Sequence, residues 1–152
     1  MSRDRWEDIK HKLHLVDNTY LTNKSPYEDK LFKIRPMVDH LREKFQAIPK
    51  MQNLCVDEQM VPFKDKSSIK KYIPSKPHKW GYKLMVLADS QDMTCDFFPY
   101  TGKINSVDNP LVPDLKASSN AVLQLAQTIP SGKNHLLFFD NLFTFLIIGS
   151  LF

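Results

Sequence analysis

Glycine is scarce in this chain. Four glycines in 152 residues leave no glycine-rich loop to cradle a phosphate, and with ten prolines they exclude collagen-like or linker-dominated chains. Cysteine is scarcer still. Cys55 and Cys95 lie far apart with no CxxC pairing, which excludes a metal knuckle and a disulfide framework and fits a reducing compartment. The five histidines are scattered, and no Ser-His-Asp or Cys-His arrangement can be read. His11 and His14 fall at i, i+3 and read as a solvated helix edge. The N-terminus, MSRDRWEDIKHK, is too charged to hold the apolar region of a signal peptide. The one long apolar stretch, residues 136–152, carries Asp140 and falls short of the ~20 residues of a spanning helix. It reads as a buried element, and no membrane partner is expected.

What remains is ordinary globular material. Hydrophobic residues make up 42% of the chain and charged residues 25%, with a formal charge of +4. The length suits about one domain, which buries roughly 70% of its unfolded surface. Trp6, Ile9, Leu13 and Val16 repeat at helical spacing, so an amphipathic helix is expected near the start, with Ser2 as its N-cap and Asp4 in its first turn. Leu31, Ile34, Val38, Leu41, Phe45 and Ile48 form a second stripe. Pro36 interrupts it, and the expected helix begins with Pro36 at its first position after a short turn. Beyond Pro49 the pattern changes to strands. NLCVDEQMV reads as a central strand covered on both faces, and GYKLMVLADSQDMTCDFFPYTG as a hairpin turning at DSQD. SSNAVLQLAQTI reads as a helix capped by its serines, and GKNHLLFFD as another covered strand. The order predicts an α/β fold, a mixed sheet with flanking helices, preceded by an N-terminal helical segment.

Two carboxylates stand oddly in these strands. Alternation places Cys55, Asp57 and Gln59 on one strand face, and Leu136, Phe138 and Asp140 on one face of the other. If the strands lie side by side, Asp57 and Asp140 meet at the sheet's rim, where a divalent cation would relieve their repulsion. Mg²⁺ suits one or two carboxylates plus waters and substrate phosphates. The alternative is structural: Asp57 caps a turn, and Asp140 with Asn141 opens a following helix. Between the strands runs KDKSSIKKYIPSKPHKWGYK, with Lys64, Lys66, Lys70, Lys71, Lys76, Lys79 and Lys83 against the single acid Asp65, and Tyr72, Trp80 and Tyr82 interleaved. Lysines on a proline-punctuated segment suit positioning of a phosphate backbone, or else a solvated loop that maintains solubility.

VDEQMVPFK, YIPSKPHKWGYKLMVLADS, YTGK and FFDN together resemble piggyBac-type transposases and the host proteins derived from them. MSRDRWEDIKHKLHLVDN and DKLFKIRPMVDHLREKF resemble the helical segment ahead of that family's catalytic core. The resemblance implies a partial RNase H-like fold: residues 1–50 as part of the dimerisation and DNA-binding helices, and residues 51–152 as the first half of the catalytic domain. It implies an aspartate triad that binds Mg²⁺ for DNA cleavage and strand transfer at TTAA targets, with Asp57 as the first catalytic aspartate and metal ligand, Asp140 as the second, and the lysine-rich loop in contact with DNA. It also implies a nuclear location. The chain departs from the family pattern in several places. The third aspartate and the cysteine-rich zinc domain fall outside it, and Lys64, Asp65, Lys66 stand where Lys-Gly-Arg is common. The expected function is therefore a transposase-derived fragment that binds DNA without sequence preference and is not catalytic alone. The alternative is an inactive structural remnant, or an interaction module that associates with itself or with a full-length relative.

Overall fold

The computed structural model describes residues 1–17, 29–102, 104 and 117–140. The chain divides into two compact units, Met1–Leu41 and Arg42–Phe152. In the first, helix α1 spans Arg3–Lys12. The Ser2 hydroxyl accepts from the Arg5 N–H at 3.3 Å, and Asp4 sits in the first turn. The helix ends before Leu13 and Val16, and none of its residues is buried, so the expected apolar stripe does not form. Charge pairs hold it instead, Lys12–Asp8 at 2.7 Å and Lys10–Glu7 at 2.9 Å among them. Each such surface pair contributes only a few tenths of a kcal/mol, roughly.

A 3₁₀ turn, Phe32–Ile34, precedes helix α2, Arg35–Gln46. Pro36 thus stands second in the helix rather than first, still within the turn where its missing N–H costs nothing. The Asp29 carboxylate accepts from the Leu31 N–H and from the Arg35 guanidinium, each at 2.9 Å. The Arg35 guanidinium holds the Asp29 carboxyl below its ordinary range. Of the stripe, Leu31 and Val38 are buried, whereas Ile34 and Leu41 are exposed.

Among the described residues, the second unit is built on a five-stranded mixed sheet. Its strands are β1 (Asn53–Pro62), β2 (Lys71–Tyr72), β3 (Trp80–Asp89), β4 (Thr94–Pro99) and β5 (Leu136–Phe139). Strand β3 pairs antiparallel with β1 from Leu54↔Asp89 to Pro62↔Gly81, and with β2 and β4. The turn between β3 and β4 is organised by Asp89, whose Oδ1 accepts from the N–H groups of Gln91 and Met93, with Asp92 at φ 60°. At Gly81 a β-carbon would collide with the Val61 carbonyl of the neighbouring strand, so only glycine permits this approach of β3 to β1.

Helix α3, Ala117–Ala126, packs on one face of the sheet. Val122 and Leu125 join Leu54, Val56, Met85, Leu87, Cys95 and Phe98 in one core. Ser118 and Ser119 lie inside α3, and Ser119 is buried. They therefore do not cap the helix as expected. The two acidic strands are covered on one face, not two. In β1, Leu54 and Val56 are buried while Cys55, Asp57 and Gln59 are exposed. In β5, Leu136 and Phe138 are exposed. Among the described residues, Asp96 on β4 is the carboxylate with no exposed surface. It is held by Arg42 Nε and Nη2, each at 2.9 Å, by Gln46 Nε2 at 3.1 Å and by the Phe97 N–H at 2.8 Å. Next to it, Phe45 meets Phe97 edge to face.

Candidate functional site

Strand β1 lies between β3 and β5, and its pairing with β5 is parallel. The register runs Asn53↔Leu136, Leu54↔Leu137, Cys55↔Phe138 and Val56↔Phe139. One step further along both strands stand Asp57 and Asp140. Adjacent strands lie about 4.8 Å apart, so the register alone makes these two carboxylates neighbours, Asp140 just past the end of β5 and Asp57 midway along β1. Both line an open cleft of about 700 Å³, together with Cys55, Val56, Glu58, Ser75, Lys76, Phe138 and Phe139.

The site differs from expectation in its exposure. The Asp57 side chain is 62% exposed and Asp140 is also exposed, so neither carboxylate carries the full cost of burial expected from the sequence. Glu58, facing the other way along β1, has a side chain only 10% exposed. The Asp57 Oδ1 is fixed by the Glu58 N–H at 2.7 Å. Lys76 reaches both acids, its Nζ lying 3.7 Å from Asp57 Oδ2 and 3.5 Å from Glu58 Oε1. Cys55 borders the same cleft, and burial pushes its thiol pKa upward. Glu58, Ser75, Lys76 and Cys55 were not singled out as cleft residues from the sequence. The adjacency of Glu58 to Asp57 and the shared strand face of Cys55 and Asp57 are the signals in the sequence.

The donor set fits a hard cation in part. Two carboxylates with open solvent around them are what Mg²⁺ takes when it keeps several of its waters. Among the described residues, no group of three or more His, Cys, Asp or Glu side chains is gathered closely enough to hold a metal. Among the described residues, Asp57 and Asp140 are the two carboxylates that would be available to such an ion at this rim.

The structure sorts the seven lysines. Lys64, Lys66 and Lys79 are exposed. Lys70 turns inward on its own loop, donating to the carbonyls of Lys64 at 3.1 Å and Asp65 at 2.9 Å, with its ammonium 5.1 Å from the centre of the Trp80 ring. Lys71 and Lys83 both lie over the Tyr100 ring, at 5.2 and 5.9 Å. Lys76 alone enters the carboxylate cleft. The interleaved aromatics brace the segment: Tyr72 packs on Trp80 and Phe63 stacks on Tyr82.

Comparison with known proteins gives this geometry a context. A family model described as Transposase IS4 matches residues 1–147. Human PiggyBac transposable element-derived protein 3 is 32% identical over 148 residues, which cover 95% of this chain and 24% of that protein. The human Chimeric ERCC6-PGBD3 protein is likewise 32% identical, with 13% of its length covered. Among solved structures, a piggyBac transposase synaptic complex with hairpin DNA superposes with a TM-score of 0.79 at 25% identity, over 96% of this chain and 30% of that one. The mixed sheet and its helices thus match part of a piggyBac transposase, and the chain spans less than a third of each of these proteins.

Proposed function

The chain belongs to the piggyBac-type transposase family, and from that premise we propose that it is a DNA-engaging segment in which Asp57 and Asp140 hold a divalent cation and the 64–83 segment holds phosphates. The observation that carries this reading is the parallel pairing of β1 with β5, which brings Asp57 and Asp140 to one cleft rim. A Mg²⁺ bound there would neutralise the pair and polarise a phosphoryl oxygen. The chain's own contribution is positional. Lys64, Lys66 and Lys79 are exposed, and Lys71 and Lys83 lie over the Tyr100 ring. Contacts of this kind fix the protein on a duplex without reading its sequence.

Fluorescence anisotropy with labelled duplex DNA tests the proposal. If about five lysines engage phosphates, affinity falls by roughly 2–3 decades between 50 and 200 mM salt, equally for unrelated sequences. Replacing Lys64, Lys66 and Lys79 together by Ala weakens binding and flattens the salt slope. No binding at low salt, or binding indifferent to these replacements, refutes it. One observation favours a second reading as an interaction module: Leu136 and Phe138 are 51% and 56% exposed on β5. Association that grows with concentration in light scattering supports that reading, and a monomer throughout discards it.

A further inference from the structure

Lys76 was grouped with the DNA-contacting lysines on sequence grounds, yet its ammonium lies among carboxylates. It is 3.7 Å from Asp57 and 3.5 Å from Glu58, and its side chain is only 27% exposed. The backbone delivers it there. The Ile73 N–H donates to the Lys79 carbonyl at 2.8 Å, closing a turn that contains Pro74 and Pro77, and Ser75 and Lys76 at its tip line the cleft. The two prolines limit the alternatives open to this turn, so Lys76 is presented rather than free to wander. Consecutive strand residues face opposite ways, and Lys76 reaches both carboxylates from the strand's edge. Asp57 is thus shared: within one cleft it stands next to Asp140 and pairs with Lys76.

We infer that Lys76 is a tethered counter-ion, a positioning residue whose ammonium offsets the charge of Asp57 and Glu58 and competes with a divalent cation for Asp57. This rests on the reading of Asp57 and Asp140 as cation ligands. An ammonium and a divalent ion both within about 4 Å of one carboxylate oxygen repel each other strongly at a half-exposed site. Cation entry therefore shifts Lys76 away from Asp57, towards Glu58 or out to solvent. The more deeply placed Glu58, at 10% exposure, keeps a second anchor for the ammonium.

The test uses the full chain and Mn²⁺, followed by the paramagnetic resonance signal of the free ion. The variants are Lys76→Met, Lys76→Arg and, as a control of equal charge change on the same segment, Lys79→Met. Removing the ammonium tightens Mn²⁺ binding by about tenfold, whereas Lys79→Met changes it by less than about twofold. Lys76→Arg behaves like the wild type, and adding Asp57→Asn to Lys76→Met abolishes the gain. Circular dichroism verifies that each variant is folded. Binding that is unchanged or weakened in Lys76→Met, or a gain of equal size in Lys79→Met, overturns the inference. Wild-type Mn²⁺ binding that Asp57→Asn removes upholds the cation reading even if Lys76 proves indifferent. Failure of all variants to bind Mn²⁺ defeats both.

Discussion

Replacing Arg42 by Met should destabilise the second unit more than any change in the cleft. Asp96 is fully buried and receives four hydrogen bonds, two of them from the Arg42 guanidinium at 2.9 Å. Without Arg42, the carboxylate retains only Gln46 and the Phe97 N–H while remaining in the core. Removing one partner of a buried pair costs about 3–5 kcal/mol. Arg42 is 24% exposed, so water can reach part of the vacated space, which places the expected cost near the lower end, about 3 kcal/mol. For a chain of this size that lowers the melting temperature by roughly 6–12 °C. Urea unfolding followed by circular dichroism reads the change directly. The double replacement Arg42→Met with Asp96→Leu removes both charges and should be less damaging than Arg42→Met alone. A loss below about 0.5 kcal/mol for Arg42→Met, the size of an ordinary surface substitution, would refute the reasoning.

Other outcomes follow from the same geometry. Gly81→Ala drives a β-carbon into the Val61 carbonyl and should cost about 1–3 kcal/mol in urea midpoint terms; an unchanged midpoint would show that β1 and β3 can part without penalty. Cys55 is exposed and Cys95 buried, so a maleimide should label Cys55 in the native chain and Cys95 only on unfolding. Burial raises both thiols, so Cys55 should react more slowly than a free cysteine at the same pH. Asp29 has its pKa lowered by Arg35, so its stabilisation is complete above the ordinary Asp value of about 3.9 and is lost as pH falls through the lowered value. Asp29→Asn should therefore be less stable than wild type at neutral pH by a few tenths of a kcal/mol, about what an exposed pair gives, with the difference shrinking in acid below the ordinary Asp range. Equal destabilisation at both pH values would contradict it.

The course of the sheet was legible because its signals are local. Run length and the DSQD turn placed β3 and β4, and period-2 alternation put Asp57 and Asp140 each on a definite strand face. The parallel register of β1 with β5 then made them neighbours. Burial was less legible. A short apolar run does not say which of its faces is covered, and β1 and β5 proved to be covered on one. A strand read as covered on both faces buries Asp57, whereas the fully buried carboxylate is Asp96 in TCDFFP. Its partners were available as Arg42 and Gln46, spaced i, i+4 on α2, but 54 residues separate Arg42 from Asp96. The position of Lys76 was hidden for a similar reason. Among seven lysines of one segment, only the turn around Pro74 and Pro77 decides which faces the acids. In α1, helical spacing was present, yet none of the helix residues is buried.

Localised hydroxyl-radical cleavage by Fe²⁺ standing in for Mg²⁺ tests most directly whether Asp57 and Asp140 share an ion. With ascorbate and peroxide, backbone cuts should cluster near residues 57 and 140, two sites distant in sequence, and should be lost when either aspartate becomes Asn or when excess Mg²⁺ is added. Cuts at one site only, or none that depend on both carboxylates, would contradict the shared cation site.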